Sequence, residues 1–251
     1  MLKTKILFIP GWTYSDEKIK PFYESLKKIG EKVEWLPTPG LTGKKLTEPW
    51  NLEDYCSWLE KEIANKVEVG EKVILIGHSN GGRIILKFLS TESEQRVKVA
   101  KVILIDSAGL TDRRWHKVLK RDFFGLCAKL GKKLKNQPQI RKLVYRILRE
   151  RDYYQADEIM QKTMANLLKE DLREKLKLIK PRTLLIWGEN DQMTPLVIGK
   201  EMAAKIPQAE LKIIKGARHV PQITNSLETI NTIENFLTKN EVKKEKTDGE
   251  I

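Results

Sequence analysis

The stretch Ile76-Gly-His-Ser-Asn-Gly-Gly-Arg83 lies between the apolar runs Val73-Ile74-Leu75 and Ile84-Ile85-Leu86 and holds a serine in the pattern G-x-S-x-G, read as Gly77-His78-Ser79-Asn80-Gly81. Glycines of this spacing suit a strand-to-helix turn so tight that its central residue takes strained backbone angles and neighbouring side chains would collide. There Ser79 Oγ would stand clear of the backbone at a helix start, where free N–H groups and the helix dipole favour developing negative charge. The chemistry would be nucleophilic attack. The same letters also suit a simple glycine-rich bend, so the question passes to whether a base and an acid lie within reach.

A serine hydroxyl is a weak nucleophile without a base, and the base needs a third group to fix its tautomer and stabilise its charge. The chain has three histidines, His78, His116 and His219. His78 sits inside the turn and cannot easily fold back on Ser79, and His116 lies in a basic block. His219, in Gly216-Ala-Arg-His-Val-Pro221, follows an apolar run and is the expected base. Asp191, in Trp187-Gly-Glu-Asn-Asp-Gln-Met-Thr-Pro195, is the expected acid. A helix cap is its ordinary alternative, but Thr194-Pro195 already marks a helix start. Asp106, in Ile105-Asp-Ser-Ala-Gly109, is the rival acid, and Glu189 is a weaker third choice. The oxyanion of a tetrahedral intermediate needs two preorganised donors. The expected pair is the backbone N–H of Asn80 and that of Trp12 in Pro10-Gly11-Trp12, where Pro10 has no N–H to give.

The elements that must position these residues are legible as short β-branched runs over 5–9, 32–36, 72–76, 101–105, 183–187 and 209–214, each followed by turn chemistry. Helical periodicity covers 52–67, 84–89, 195–206 and 227–237, and this alternation predicts a six-stranded, mainly parallel sheet flanked by helices. Ser79, Asp191 and His219 then fall at the carboxyl ends of three strands, where open α/β sheets collect ligands. Between residues 110 and 180 the alternation stops and only helical periodicity remains, which predicts an inserted all-helical segment. The expected division is a core of 1–109 and 181–240, a helical cap of 110–180 and a charged, patternless tail of 241–251.

On these motifs the chain resembles the α/β-hydrolase superfamily over nearly all its length, with GHSNG as the elbow, WGENDQMTP as the acid turn and GARHVP as the histidine loop. Two features depart from the usual pattern: Pro10-Gly11 stands where many relatives have His-Gly, and the two leading strands of larger members are missing. The resemblance implies acyl transfer to water by an acyl-enzyme route. A serine elbow excludes relatives that use aspartate there, namely epoxide hydrolases and haloalkane dehalogenases. Carboxylic esters of short to medium acyl chain are the expected substrates, with lactones, thioesters or a non-catalytic ligand-binding role as alternatives. No cofactor or metal is implied. Phe123, Phe124 and Tyr153 are expected to line an acyl pocket, although packing between helices would use the same aromatics.

Composition sets outer bounds. The 251 residues, 40% hydrophobic and 32% charged, describe a globular chain, and no apolar run approaches the roughly 18 residues of a membrane span. Two cysteines without CxxC spacing point to a reducing, cytoplasmic setting. The net charge of +13 is concentrated: residues 113–149 carry thirteen lysines and arginines against the single acid Asp122. Such runs are usually solvated faces. The sharper expectation is an anionic substrate or acidic carrier protein steered to the cap, while nucleic-acid binding lacks any supporting motif.

Overall fold

A computed structural model describes residues 4–12, 16–29, 32–41, 43–68, 70–91, 99–111 and 157–238. His116, Phe123, Phe124, Tyr153 and the basic block of 113–149 therefore lie outside the described residues, as does the tail of 241–251.

Six strands form one sheet: β1 (Thr4–Ile9), β2 (Lys32–Trp35), β3 (Lys72–His78), β4 (Val99–Ile105), β5 (Arg182–Gly188) and β6 (Ala209–Ile214). Every neighbouring pair is parallel, in the order β2-β1-β3-β4-β5-β6. The helices are α1 (Asp16–Ile29), α2 (Leu52–Lys66), α3 (Asn80–Leu89), α4 (Glu158–Lys169), α5 (Leu196–Lys205), α6 (Pro221–Thr224) and α7 (Ser226–Thr238), with a 3₁₀ helix at Arg173–Leu178.

Successive strand residues point to opposite faces, and here both faces are covered. Leu7, Ile9, Val73, Leu75, Val102, Leu104, Leu185 and Trp187 pack on one side with Leu59 of α2, Ile85 of α3 and Met202 of α5. Ile6, Phe8, Ile74, Ile76, Ile103, Ile105, Leu184 and Ile186 pack on the other with Phe22 of α1 and Ile233 of α7. This double burial is why the strands read as continuous apolar runs rather than alternating ones.

The strand order reverses between β1 and β3, so a crevice opens at their carboxyl ends. Trp12 follows the first of these strands and Ser79 the second. Helix α3 starts at Asn80, four residues before the apolar run that announces it. Asn80, Gly81 and Gly82 are poor helix formers, and tertiary packing holds them in the helix.

Of the stretch 110–180, the described residues 157–180 contain α4 and the 3₁₀ helix and no strand. The residues just before the undescribed part are tied to the segment that follows α4. The Leu172 N–H donates to Gly109 O at 2.9 Å, the Thr111 N–H to Asp171 Oδ2 at 3.3 Å and Arg173 Nη2 to Thr111 O at 3.0 Å. Helix α3 joins this stem: Arg83 Nη1 donates to Leu167 O at 2.6 Å, and Lys87 Nζ bridges Glu53 and Glu170, both at 2.6 Å.

Candidate active site

Ser79 adopts φ +50°, in the left-handed region that non-glycine residues avoid. The surroundings enforce it. Its N–H donates to Ile105 O at 3.0 Å, and its carbonyl accepts from the Ala108 N–H at 2.9 Å and the Arg83 N–H at 3.2 Å. The glycines are needed where they stand. A Cβ on Gly81 would come within 2.2 Å of Ile9 O, and one on Gly82 within 2.1 Å of Ser107 Oγ. The serine is thus pinned against the ends of β1 and β4.

His219 Nε2 lies 3.0 Å from Ser79 Oγ, and His219 Nδ1 lies 2.8 Å from Asp191 Oδ2. These partners assign the tautomer: Nδ1–H donates to the carboxylate, and Nε2 accepts from the hydroxyl. Asp191 is buried and fully solvated by protein donors. Its Oδ1 accepts the Met193 and Thr194 N–H groups at 2.7 and 3.1 Å, and its Oδ2 also accepts from the Thr194 hydroxyl at 2.6 Å. Burial alone would raise its pKa, but the hydrogen bonds from His219, Thr194 and Met193 outweigh it and hold the carboxyl below its usual range. It is therefore the charged member of the set at neutral pH.

The loops bearing Asp191 and His219 are stitched together. The Asn190 N–H donates to Ala217 O at 2.8 Å, the Glu189 N–H to Ile214 O at 3.1 Å and the Gly216 N–H to Glu189 Oε2 at 2.9 Å. Glu189 thus braces the loop pair with its carboxylate instead of facing His219. Asp106, the rival acid, is wholly buried close by, with Oδ1 accepting the Gly188 N–H at 2.8 Å.

On the oxyanion side, a Cβ on Gly11 would lie 2.9 Å from Ser79 Cβ and 2.5 Å from His78 Nδ1, so the loop after β1 runs directly against the serine. Trp12 is the next residue and packs, partly buried, against the core. As the first residue of α3, Asn80 has an N–H without an intrahelical acceptor.

Two contributors escape a reading of sequence. The Thr194 hydroxyl, which marks a helix start in the sequence, holds the acid. His78 is buried with Nε2 2.8 Å from His219 O and its ring 4.9 Å from the His219 ring. Burial, with His219 beside it, lowers its pKa to about 3, so it is neutral and props the histidine loop. Among the described residues, His78, Asp106 and His219 also bring ligand-type atoms within 4.8 Å of one another. Both ring nitrogens of His219 are already committed to Ser79 and Asp191.

A parallel sheet with a strained serine after β3, an acid after β5 and a histidine after β6 is the architecture of an α/β-hydrolase. The family described as "Serine aminopeptidase, S33" matches residues 51–223, more than half of the chain and a span containing Ser79, Asp191 and His219, and the chain belongs to that family. It is 26% identical over 234 residues to the AB hydrolase superfamily protein YisY of Bacillus subtilis, covering 85% of this chain and 84% of that one. Among solved structures it is similar to the enol-lactonase of Burkholderia xenovorans, with TM-score 0.69, 18% identity and 94% and 92% of the two chains covered. A thermophilic esterase of Thermogutta terrifontis matches with TM-score 0.62, 18% identity and coverage of 94% and 89%. These two likenesses show the fold. Among the described residues no helix is long and apolar enough to cross a membrane.

Proposed function

We propose that the chain is a serine hydrolase that cleaves carboxylic esters of short to medium acyl chain through an acyl-enzyme. The observation that carries this reading is the unbroken relay from Ser79 Oγ through His219 to Asp191, at 3.0 and 2.8 Å. In acylation His219 Nε2 takes the Ser79 proton as Oγ bonds to the ester carbonyl carbon, and Asp191 stabilises the imidazolium. The N–H groups of Asn80 and Trp12 receive the oxyanion. The imidazolium then returns its proton to the departing alkoxide. In deacylation His219 deprotonates a water that attacks the acyl carbon, and Ser79 Oγ leaves with that proton.

Labelling with a fluorophosphonate tests the nucleophile directly: a single adduct is expected on the peptide containing Ser79, and an unlabelled Ser79 in the folded protein would refute the reading. A panel of p-nitrophenyl esters of graded chain length, lactones, acyl thioesters and amino-acid anilides then ranks substrates. The anilide arm tests the amide chemistry named in the family's description. No turnover of any class would favour a non-catalytic ligand-binding role.

The basic block of residues 113–149 adds a substrate proposal: an anionic ester or acidic carrier is steered towards the site. The expected sign is a kcat/KM that falls with ionic strength for an anionic ester and stays level for a neutral one. An equal response from both would remove steering.

Thr194→Val keeps the side-chain shape and deletes the hydroxyl bonded to Asp191. Hydrogen bonds to charged groups contribute about 1.5–3 kcal/mol, so kcat is expected to fall about ten-fold. An unchanged kcat would take Thr194 out of the working set.

A further inference from the structure

We propose that Asp106 and Asp191 act as one carboxyl pair beneath His219, holding a single negative charge between them, and that Asp106 is the positioning residue that receives this charge when Asp191 cannot carry it. The proposal rests on the serine-hydrolase reading above and deepens it.

The two carboxyls are unequal in their donors. Asp191 receives four: two amide N–H groups on Oδ1, and the Thr194 hydroxyl and the His219 ring on Oδ2. Asp106 receives one, the Gly188 N–H on Oδ1, while its Oδ2 is buried with no hydrogen-bond partner. Asp106 lies close enough to the Asp191 carboxylate for that charge to oppose its own ionisation. Two carboxylates this close in a buried site do not both ionise, and the charge settles where the donors are. That is Asp191, which leaves the proton on Asp106.

Asp106 is also within range of the base. A carboxyl oxygen of Asp106 and ring nitrogens of His78 and His219 lie within 4.8 Å of one another. The ionisable groups facing Asp106 are therefore Asp191 from the loop after β5, His219 from the loop after β6 and His78 from β3. His78 is neutral, and among the described residues Asp191 is the charge that opposes ionisation of Asp106. Burial first, and then that charge, push the Asp106 carboxyl up to about 9.

Its backbone is held for this position. Asp106 adopts φ +41°, a value that aspartate enters more readily than most residues, and its N–H donates to Ile186 O at 2.9 Å. Removing the Asp191 carboxylate would leave the His219 Nδ1–H only the Thr194 hydroxyl, at 3.4 Å, as a partner. It would also remove the repulsion that keeps Asp106 protonated. Asp106 can then ionise and accept from Nδ1, through side-chain rotation toward a ring already within reach.

The test is a cycle of Asp191→Ala, Asp106→Ala and the double variant, with Ser79→Ala as reference, measured as kcat/KM on a p-nitrophenyl ester. Asp191→Ala is expected to retain activity, falling about 10- to 100-fold, whereas the double variant is expected to fall about 10⁴-fold. Asp106→Ala should thus cost at least about ten-fold more without Asp191 than with it. A merely structural Asp106 predicts the same factor in both backgrounds, and that result, or an Asp191→Ala variant as inactive as Ser79→Ala, would overturn the proposal.

A second readout is independent of turnover. The folded protein holds the Asp106 proton up to about pH 9, while the unfolded chain releases it near 3.8, so this group's contribution to stability falls as pH rises between those values. Asp106→Asn carries no such proton, and its Tm relative to the parent is expected to climb steadily between about pH 5 and pH 9. Parallel Tm curves would refute the shared-charge pair. Undiminished turnover by Ser79→Ala would instead refute the hydrolase reading, leaving the Tm comparison to judge the pair.

Discussion

Ser79→Ala is expected to lower kcat for any accepted ester by about 10⁴- to 10⁶-fold with little change in Tm. The size follows from what is lost. The methyl group cannot form the acyl-enzyme, and without it the relay through His219 and Asp191 has nothing to activate, so the whole constellation fails at once. The stability stays because the Ser79 hydroxyl has one contact, His219 Nε2 at 3.0 Å, while the turn itself is held by the backbone bonds to Ile105, Ala108 and Arg83. Residual turnover within about ten-fold of the parent would move the nucleophile elsewhere.

Gly81→Ala is expected to damage both stability and turnover. In an exposed helix this change gains about 1 kcal/mol from propensity. Here the new Cβ would lie 2.2 Å from Ile9 O and 2.8 Å from Pro10 O, and both obstacles are backbone, so neither can swing aside. Overpacking of this kind costs about 1–3 kcal/mol, and against a carbonyl it outweighs the propensity gain. Relief can come only by moving α3 away from the end of β1, which separates Ser79 from the loop that carries Trp12. A displacement near 1 Å at a reacting centre costs about 100-fold in rate, and a loss of that order in kcat is expected alongside a lowered Tm. A variant as stable and active as the parent would show that the elbow and the oxyanion loop do not need this contact.

These two outcomes rest on a part of the molecule that is readable from residue types. The six strands are legible because both sheet faces are buried, which forces unbroken apolar runs, and because each run ends in a turn residue or a reactive side chain. The order Ser79, Asp191, His219 is legible for the same reason, since each closes a strand. Distances are another matter. Asp106 and Asp191 both follow strands, and sequence alone cannot say that the first has one donor and the second four. Thr194 reads as a helix start because its hydroxyl bond to Asp191 depends on how the turn after β5 folds back. The early start of α3 is hidden too, because Asn80, Gly81 and Gly82 are helical through contacts with β1 and β4 and against their own propensity. Arg83 and Lys87 show the same limit: their charges are buried in α3, satisfied by Leu167, Glu170 and Glu53 from distant parts of the chain.

The stem that closes at Gly109–Thr111 and Asp171–Arg173 gives the chain a natural port for exchange. Its hydrogen bonds join the residues that precede 112–156 to the segment after α4 and, through Arg83 and Lys87, to the helix behind the serine. A segment grafted between such closed ends alters the loop-closure entropy only logarithmically with its length. A chain with residues 112–156 exchanged for a shorter or differently charged sequence is therefore expected to keep the core folded, with Ser79 still labelled by a fluorophosphonate.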